Sequence, residues 1–245
     1  MTTIYWYSAT GNSFDAARRI GEALGGCQMA AIPALTGETR CNSDVIGIIY
    51  PTFADGMPKL VYDFVATLKT VPDAYIFAIT TCGGSSASAN AELDTLLRRN
   101  GNAGLSYAAV LSTVDNYIIF GDSGARNADR TLKAADAALE RIIADLIARK
   151  RTELPPAEPR LLDFSAMGKE YIVSDTCDGC GLCQKLCLTA NITLVSGKPC
   201  FGDKCDFCLA CLQWCPKQAI NFKQETVGKM RYTNPNVTPA DLYLR

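Results

Sequence analysis

The sequence predicts an α/β chain: a doubly wound parallel sheet over residues 1–151, followed by a small α+β cysteine-rich domain. Three observations predict it. Short, near-continuous apolar runs alternate with amphipathic helical patterns through the first 151 residues, which is how strands covered on both faces by crossover helices read. Nine of the twelve cysteines crowd into residues 177–215. Between the two lies TELPPAEPRLLDFSAMG, residues 152–168, whose prolines mark a linker.

The elements follow in order. Strand-like runs occupy residues 3–7, 45–50, 75–81 and 105–111, with a weaker one at 28–32. Phe14, Ala17, Ile20 and Leu24 share one helical face, as do Leu60, Phe64 and Leu68. Leu93, Leu96 and Leu97 precede Asn100-Gly101, a helix stop. Leu132, Ala135, Leu139, Ile142, Ile143 and Leu146 form the last apolar stripe. The cysteine-rich domain spans residues 169–225, and the tail, 226–245, carries enough apolar side chains to be expected docked.

Composition excludes several classes. Lys and Arg number 24 against 25 Asp and Glu, so the basic excess expected of a nucleic-acid or membrane-surface protein is missing. No apolar run approaches the ~20 residues of a membrane span. No charged, then apolar, leader opens the chain, and the expected location is cytoplasmic. Histidine is absent, which removes Ser-His-Asp and Cys-His catalysis and every His-ligated metal site. Cysteines at such density then read as metal ligands rather than disulfides.

Their spacing is specific. Cys177-x2-Cys180-x2-Cys183-x3-Cys187 is repeated 28 residues later as Cys205-x2-Cys208-x2-Cys211-x3-Cys215. Three thiolates on one tight loop can grip three corners of a cubic [4Fe–4S] cluster, while the fourth points away to the other cluster. That assigns Cys177, Cys180, Cys183 and Cys215 to one cluster, and Cys205, Cys208, Cys211 and Cys187 to the second. Zinc is the competing reading, but zinc sites take four ligands as two separated knuckles and do not need eight. Cys200 lies outside both sets and reads as a buried structural thiol.

The second motif is the turn SATGNS, residues 8–13, between the first strand and the first helix. Triphosphate loops need G-x-x-x-x-G-K-[ST] and dinucleotide folds want G-x-G-x-x-G. The turn offers neither, having one glycine and no lysine. It suits a single terminal phosphate: Ser8, Thr10, Asn12 and Ser13 would donate hydrogen bonds, and Gly11 would let the backbone come close. The same residues also suit an ordinary helix cap. Position favours the phosphate, since doubly wound sheets bind ligands at the carboxyl ends of their strands. YPTFADGMP, TTCGGSSAS and STVDNYI lie at the same edge, each after a strand-like run.

With the T-G-N-[ST] motif Thr10-Gly11-Asn12-Ser13 and these loops, residues 1–151 resemble a flavodoxin domain, whose strand order is 2-1-3-4-5 and whose ligand is FMN. The resemblance implies that Pro51, Thr52, Phe53, Ala54 and Gly56 lie on one side of the flavin ring, with Phe53 their only aromatic. Thr81, Cys82, Gly83 and Gly84 would run along its polar edge, and Tyr117 would reach it. Flavodoxins often sandwich the flavin between Trp and Tyr; Cys82-Gly83-Gly84 offers no ring, so that face would stand open. Cys82 reads as a small residue filling a tight loop, and Cys27 and Cys41 as ordinary small residues.

Residues 169–225 resemble a bacterial two-cluster ferredoxin domain. Cys215-Pro216 keeps that pattern's proline, whereas Cys187 is followed by Leu188. The whole chain resembles prokaryotic fusions of the two domains, and the tail RYTNPNVTPADL fits that group. The implied function is electron transfer between FMN, two [4Fe–4S] clusters and an external protein redox partner, in anaerobic metabolism. Two alternatives stand beside it. One is a flavin-dependent oxidoreductase acting on a small molecule, with Tyr117, Asp55 or Cys82 as proton donor; the other is a flavin-free scaffold.

Overall fold

The computed structural model describes residues 1–86, 88–121 and 124–243. The chain divides into two compact units, the first made of Met1–Ser8, Ser13–Thr113 and Asp129–Leu162, the second of Ala9–Asn12, Val114–Ala128 and Asp163–Arg245. The division cuts the chain several times, so each unit gathers distant segments.

The first unit is built on a five-stranded parallel sheet. Its strands are β1 (Thr2–Trp6), β2 (Gln28–Ala31), β4 (Val45–Pro51), β6 (Tyr75–Cys82) and β7 (Tyr107–Ser112), in spatial order β2-β1-β4-β6-β7. Counting only these strands, that is the expected 2-1-3-4-5 order of flavodoxin-like sheets. A short parallel pair, β3 (Thr39–Cys41) and β5 (Leu68–Thr70), stands apart from it. All eight residues of β6 are buried, and all of β4 except Pro51. Side chains alternate between faces, so burial along the whole strand requires cover on both sides. The helices α1 (Asn12–Ala23), α2 (Lys59–Thr67), α3 (Ala89–Arg99) and α4 (Ala128–Ile147) provide the apolar faces for it. Edge strands differ: Gln28 and Met29 on β2 and Val110 on β7 are exposed. Among the described residues no helix is long and apolar enough to cross a membrane.

Residues 152–162, read from the sequence as linker, pack within this unit. Ala108 N donates to Thr152 Oγ1 at 2.9 Å beside β7. Arg160 Nε reaches the fully buried carboxylate of Glu92 on α3 at 2.7 Å, and Arg160 N adds a second bond to Glu92 at 3.2 Å. A buried carboxylate is tolerated only when its oxygens are matched by donors, and Ser88 Oγ supplies a third at 2.6 Å.

The second unit holds two antiparallel pairs and two single-turn helices. β8 (Tyr171–Val173) pairs with β11 (Ile220–Phe222), and β9 (Ile192–Val195) with β10 (Lys198–Phe201). The helices are α5 (Leu182–Lys185) and α6 (Ala210–Gln213). Its core combines Tyr171, Ile192, Phe207, Leu212, Ile220 and Phe222 with Ile118 and Ile119, which the chain contributes from far upstream. Cys200 departs from expectation. It is exposed on β10, because the strand alternation turns its neighbour Pro199 inward instead.

Gly47 marks the tightest point of the sheet. A Cβ there would lie 2.5 Å from Phe77 Cζ and 3.2 Å from Ile4 Cγ1 on the flanking strands. Overpacking of this kind costs about 1–3 kcal/mol. Gly47→Ala is therefore expected to lower the urea midpoint of the sheet's unfolding with little change in its slope.

Candidate functional site

The duplicated cysteines fold as two matched loops. In the first copy Gly179 and Gly181 take φ of +74° and +76°, and in the second Phe207 and Leu209, 28 residues on, take +54° and +63°. Ala190 and Gln218, again 28 apart, repeat the left-handed geometry at +49° and +47°. The backbone path is thus the same in both copies, although only the first uses glycine to follow it. A left-handed conformation costs an L-residue roughly 1–2 kcal/mol, which the second copy offsets with side-chain packing. Phe207 lies 4.9 Å from the Phe222 ring and 6.0 Å from that of Phe164.

Each loop walls a cavity, and each cavity collects four cysteines from both copies. One is lined by Cys177, Cys180, Cys183 and Cys215 together with Leu182, Leu194, Pro199 and Ile220. The other is lined by Cys187, Cys205, Cys208 and Cys211 with Tyr171, Ile192, Phe201 and Leu209. Each cavity thus brings together three cysteines of one copy and one of the other. Among the described residues no group of three or more Cys, Asp or Glu side chains is placed to hold a metal ion.

Burial disfavours charge on several of these sulfurs. Burial pushes the thiols of Cys183 and Cys205 up to about 11, and those of Cys208 and Cys211 well above the ordinary cysteine range. Bare thiolates are disfavoured there, and coordinated iron would supply the missing positive charge. Main-chain donors already face several sulfurs: Asn191 N lies 3.1 Å from Cys187 Sγ, and Phe207 N and Ala219 N lie 3.3 Å from Cys205 Sγ and Cys215 Sγ. Such N–H···S bonds stabilise negative sulfur. Arg231 adds a half-buried side chain whose Nε and Nη1 are shielded from solvent. Its Nη2 donates to Asn221 Oδ1 at 2.7 Å, but Nε and Nη1 have no partner. Burial draws its pKa down, while negative charge on Cys215 and then Cys211 opposes that. Two orphaned donors beside thiols fit an anionic cluster.

The turn at residues 8–13 is buried throughout. Gly11 has φ +101° and would be strained with any side chain. Asn116 Nδ2 donates to Thr10 Oγ1 at 3.2 Å, leaving the Thr10 hydroxyl its own proton to give. Ser13 Oγ and Thr81 Oγ1 share one bond of 2.8 Å, so one of the two keeps a donor. The Asn12 amide is directed to protein groups instead, with Nδ2 on Val114 O at 3.1 Å and Oδ1 accepting from Tyr232 and Asn234. Thr10 thus keeps a hydroxyl proton to donate beside a glycine that has no room for a side chain.

The other loops are shaped within the first unit. Phe53 N and O both bond to Gly56, and Ala54 and Asp55 between them are left-handed, at +45° and +63°. Arg160 Nη2 braces this turn through Asp55 O at 3.0 Å. Thr52 N donates to Thr81 O at 3.0 Å, tying Pro51 and Thr52 to β6. Cys82 is buried and its Sγ faces Gly84 O, as a loop-filling residue would, while Gly83, Gly84 and Ser85 are exposed. Tyr117 belongs to the second unit, edge-on to Phe207 at 6.1 Å and Phe120 at 5.6 Å. Burial, and then the Asp115 charge, raise its pKa. Sequence reasoning missed Asn116, Gln213, Trp214, Arg231, Tyr232 and Asn234; only the closeness of Gln213 and Trp214 to Cys211 and Cys215 could have flagged any of them.

No family model matches the chain. No curated protein matches it either. Several solved structures are similar. A candidate flavoprotein from Bacteroides uniformis is 19% identical with a TM-score of 0.37, over 45% of this chain and 89% of that one. The two-electron reduced flavodoxin of Megasphaera elsdenii is 16% identical at 0.36, over 45% and 85%. Rubredoxin:oxygen oxidoreductase from the anaerobe Desulfovibrio gigas is 14% identical at 0.37, over 60% of this chain and 36% of that one.

Gly179 separates backbone strain from packing. A Cβ on it would sit 2.7 Å from Gly197 O, whereas Gly197, at a similar φ of +75°, has open space around it. Gly179→Ala is expected to lower the melting temperature of the second unit clearly more than Gly197→Ala does, as followed by calorimetry.

Proposed function

We propose that the protein is an electron-transfer iron–sulfur flavoprotein, with two [4Fe–4S] clusters in a ferredoxin-like second unit and FMN on the flavodoxin-like sheet. The observation that carries this reading is the pair of cavities, each lined by four cysteines taken three from one copy and one from the other. Cys177, Cys180, Cys183 and Cys215 would hold the first cluster, and Cys205, Cys208, Cys211 and Cys187 the second. Ser8, Thr10, Gly11 and Ser13 would receive the FMN phosphate, with residues 51–56, Thr81, Cys82, Gly83, Gly84 and Tyr117 assigned to the ring.

When bound, the clusters would carry electrons singly and FMN would accept one or two, so the chain would convert between the two modes and exchange electrons with an external protein partner. The protein's own groups set the conditions. The amides of Asn191, Phe207 and Ala219 stabilise sulfur, and Arg231 contributes positive charge near Cys215 and Cys211. A second reading, reduction of a small molecule over the flavin, is favoured by one observation: Gly83, Gly84 and Ser85 stand exposed, with no aromatic among them.

Protein purified without oxygen should contain about eight iron and eight sulfide per chain, and release FMN on denaturation. Cys208→Ser should damage one cluster's EPR signal and spare the other. Iron near one or two per chain, or no flavin after reconstitution, would overturn the corresponding half of the assignment. Turnover of one organic acceptor in preference to protein carriers would establish the second reading instead.

Arg231 gives a separate test. Reduction adds negative charge to a cluster, and a nearby cation favours it. Arg231→Met should lower the midpoint potential of the cluster held by Cys215 more than that of its neighbour in a spectroelectrochemical titration.

A further inference from the structure

The tail makes a set of bonds that the function above does not use. Tyr232, Asn234 and Val237 are buried, at 5%, 3% and 5% exposure. Asn234 N donates to Thr10 O at 2.8 Å. Tyr232 OH and Asn234 Nδ2 both donate to Asn12 Oδ1, at 2.7 and 3.1 Å. The space a side chain would need on Gly11 is taken by the Asn234 and Val237 Cβ atoms, at 2.9 and 3.0 Å. A tail segment therefore closes over the three consecutive turn residues Thr10, Gly11 and Asn12, all of them in the same compact unit as the tail.

The same segment is tied to the cysteine loop. Tyr232 N donates to Gln213 Oε1 at 2.9 Å, and Gln213 Nε2 to Asn116 O at 2.6 Å. Asn116 in turn binds Thr10. Next to Gln213, Trp214 donates its indole N–H to Ala9 O at 2.9 Å. Gln213 and Trp214 lie between Cys211 and Cys215, each of which lines a different cavity. Ala9 and Asn116 thus bond directly to side chains that lie between Cys211 and Cys215, while Thr10, Gly11 and Asn12 meet a tail segment that Gln213 holds through Tyr232 N.

Resting on the flavin and cluster assignments made above, we propose that residues 231–237 are a strap that shapes the flavin-phosphate turn. We further propose that the cluster-bearing segment 211–215 anchors this strap, so that FMN binds well only after the clusters are in place. Tyr232 and Asn234 are positioning residues. They hold Asn12 and the Thr10 carbonyl, and through them the turn that would meet the phosphate. Preorganising donors in this way raises affinity without a new ligand contact. The clusters act through the anchor: when iron is lost, the cysteine loops lose the cross-links that fix Gln213 and Trp214.

The test measures flavin affinity and requires no turnover. Full-length protein is loaded with clusters, depleted of flavin and titrated anaerobically with FMN and with riboflavin, which lacks the phosphate, following flavin fluorescence. Tyr232→Phe and Asn234→Ala should each weaken FMN by roughly five- to tenfold and leave riboflavin within twofold. Iron content and cluster absorption would stay at wild-type levels. Removing the clusters from wild-type protein with a chelator should weaken FMN as well, and in that state the tail variants should cause little further loss. Equal loss of FMN and riboflavin, or unchanged FMN affinity in both variants, would overturn the strap. FMN affinity indifferent to cluster removal would overturn the anchoring. Wild-type protein that binds neither flavin would remove the flavin assignment itself, and the strap with it.

Discussion

A thiol withdrawn from water ionises only against the cost of leaving it, and the second unit sets four such thiols, Cys183, Cys205, Cys208 and Cys211, among the cysteines that line its two cavities. Much of the unit's form follows from meeting that cost. Its strands are three or four residues long and its helices are single turns, so regular hydrogen bonding fixes little of it. What recurs instead is the placement of amides toward sulfur and of left-handed residues where each loop must turn around a cavity. Under the proposed cluster assignment such an arrangement would gain much of its free energy on coordination, as small metal-bearing domains generally do.

The first unit rests on a different economy. β6 is buried from end to end and β4 at every residue but Pro51, and their stability comes from apolar area removed from water. Loops at the carboxyl edge can then be irregular, because the sheet beneath them does not depend on their conformation. Yet they are not slack. The paired bonds of Phe53 with Gly56, and the Arg160 side chain that reaches both Glu92 and Asp55, hold one of them in a defined turn.

Much of this was legible in the sequence, and the reasons differ from element to element. β1, β4, β6 and β7 could be read because a short unbroken apolar run, flanked by helical patterns, is satisfied by a strand covered on both faces. The duplicated cysteine loops stood out because one spacing recurs after 28 residues. Phe207 and Leu209 could not. Left-handed backbone is signalled by glycine, and the second copy carries large side chains where the first has Gly179 and Gly181. The tail was opaque on different grounds. Tyr232 and Asn234 act through single hydrogen bonds to residues some 220 positions away, which no local periodicity records. Asn116 was passed over in favour of its neighbour Tyr117, since an aromatic draws attention to itself in a flavin-like setting and an amide does not. Cys200 shows the limit from the other side: a cysteine beside eight ligating candidates was expected inside, and strand alternation put it out.

The doubled loop also has a consequence for how the protein can change. Two copies that began with one backbone path now follow it on different terms. At Gly179 the first copy has no room for a side chain, because Gly197 O stands in the way. At Phe207 the second copy has filled the equivalent place with a ring that packs on Phe164, Tyr171, Tyr117 and Phe222. Mutational freedom is therefore unequal between halves that look interchangeable by their spacing. A glycine at 207 would relax the main chain and empty the middle of an aromatic cluster, whereas a phenylalanine at 179 would meet a carbonyl. Recombining one half onto the other, a natural shortcut for engineering a duplicated module, would break the half with the ring and jam the half without it.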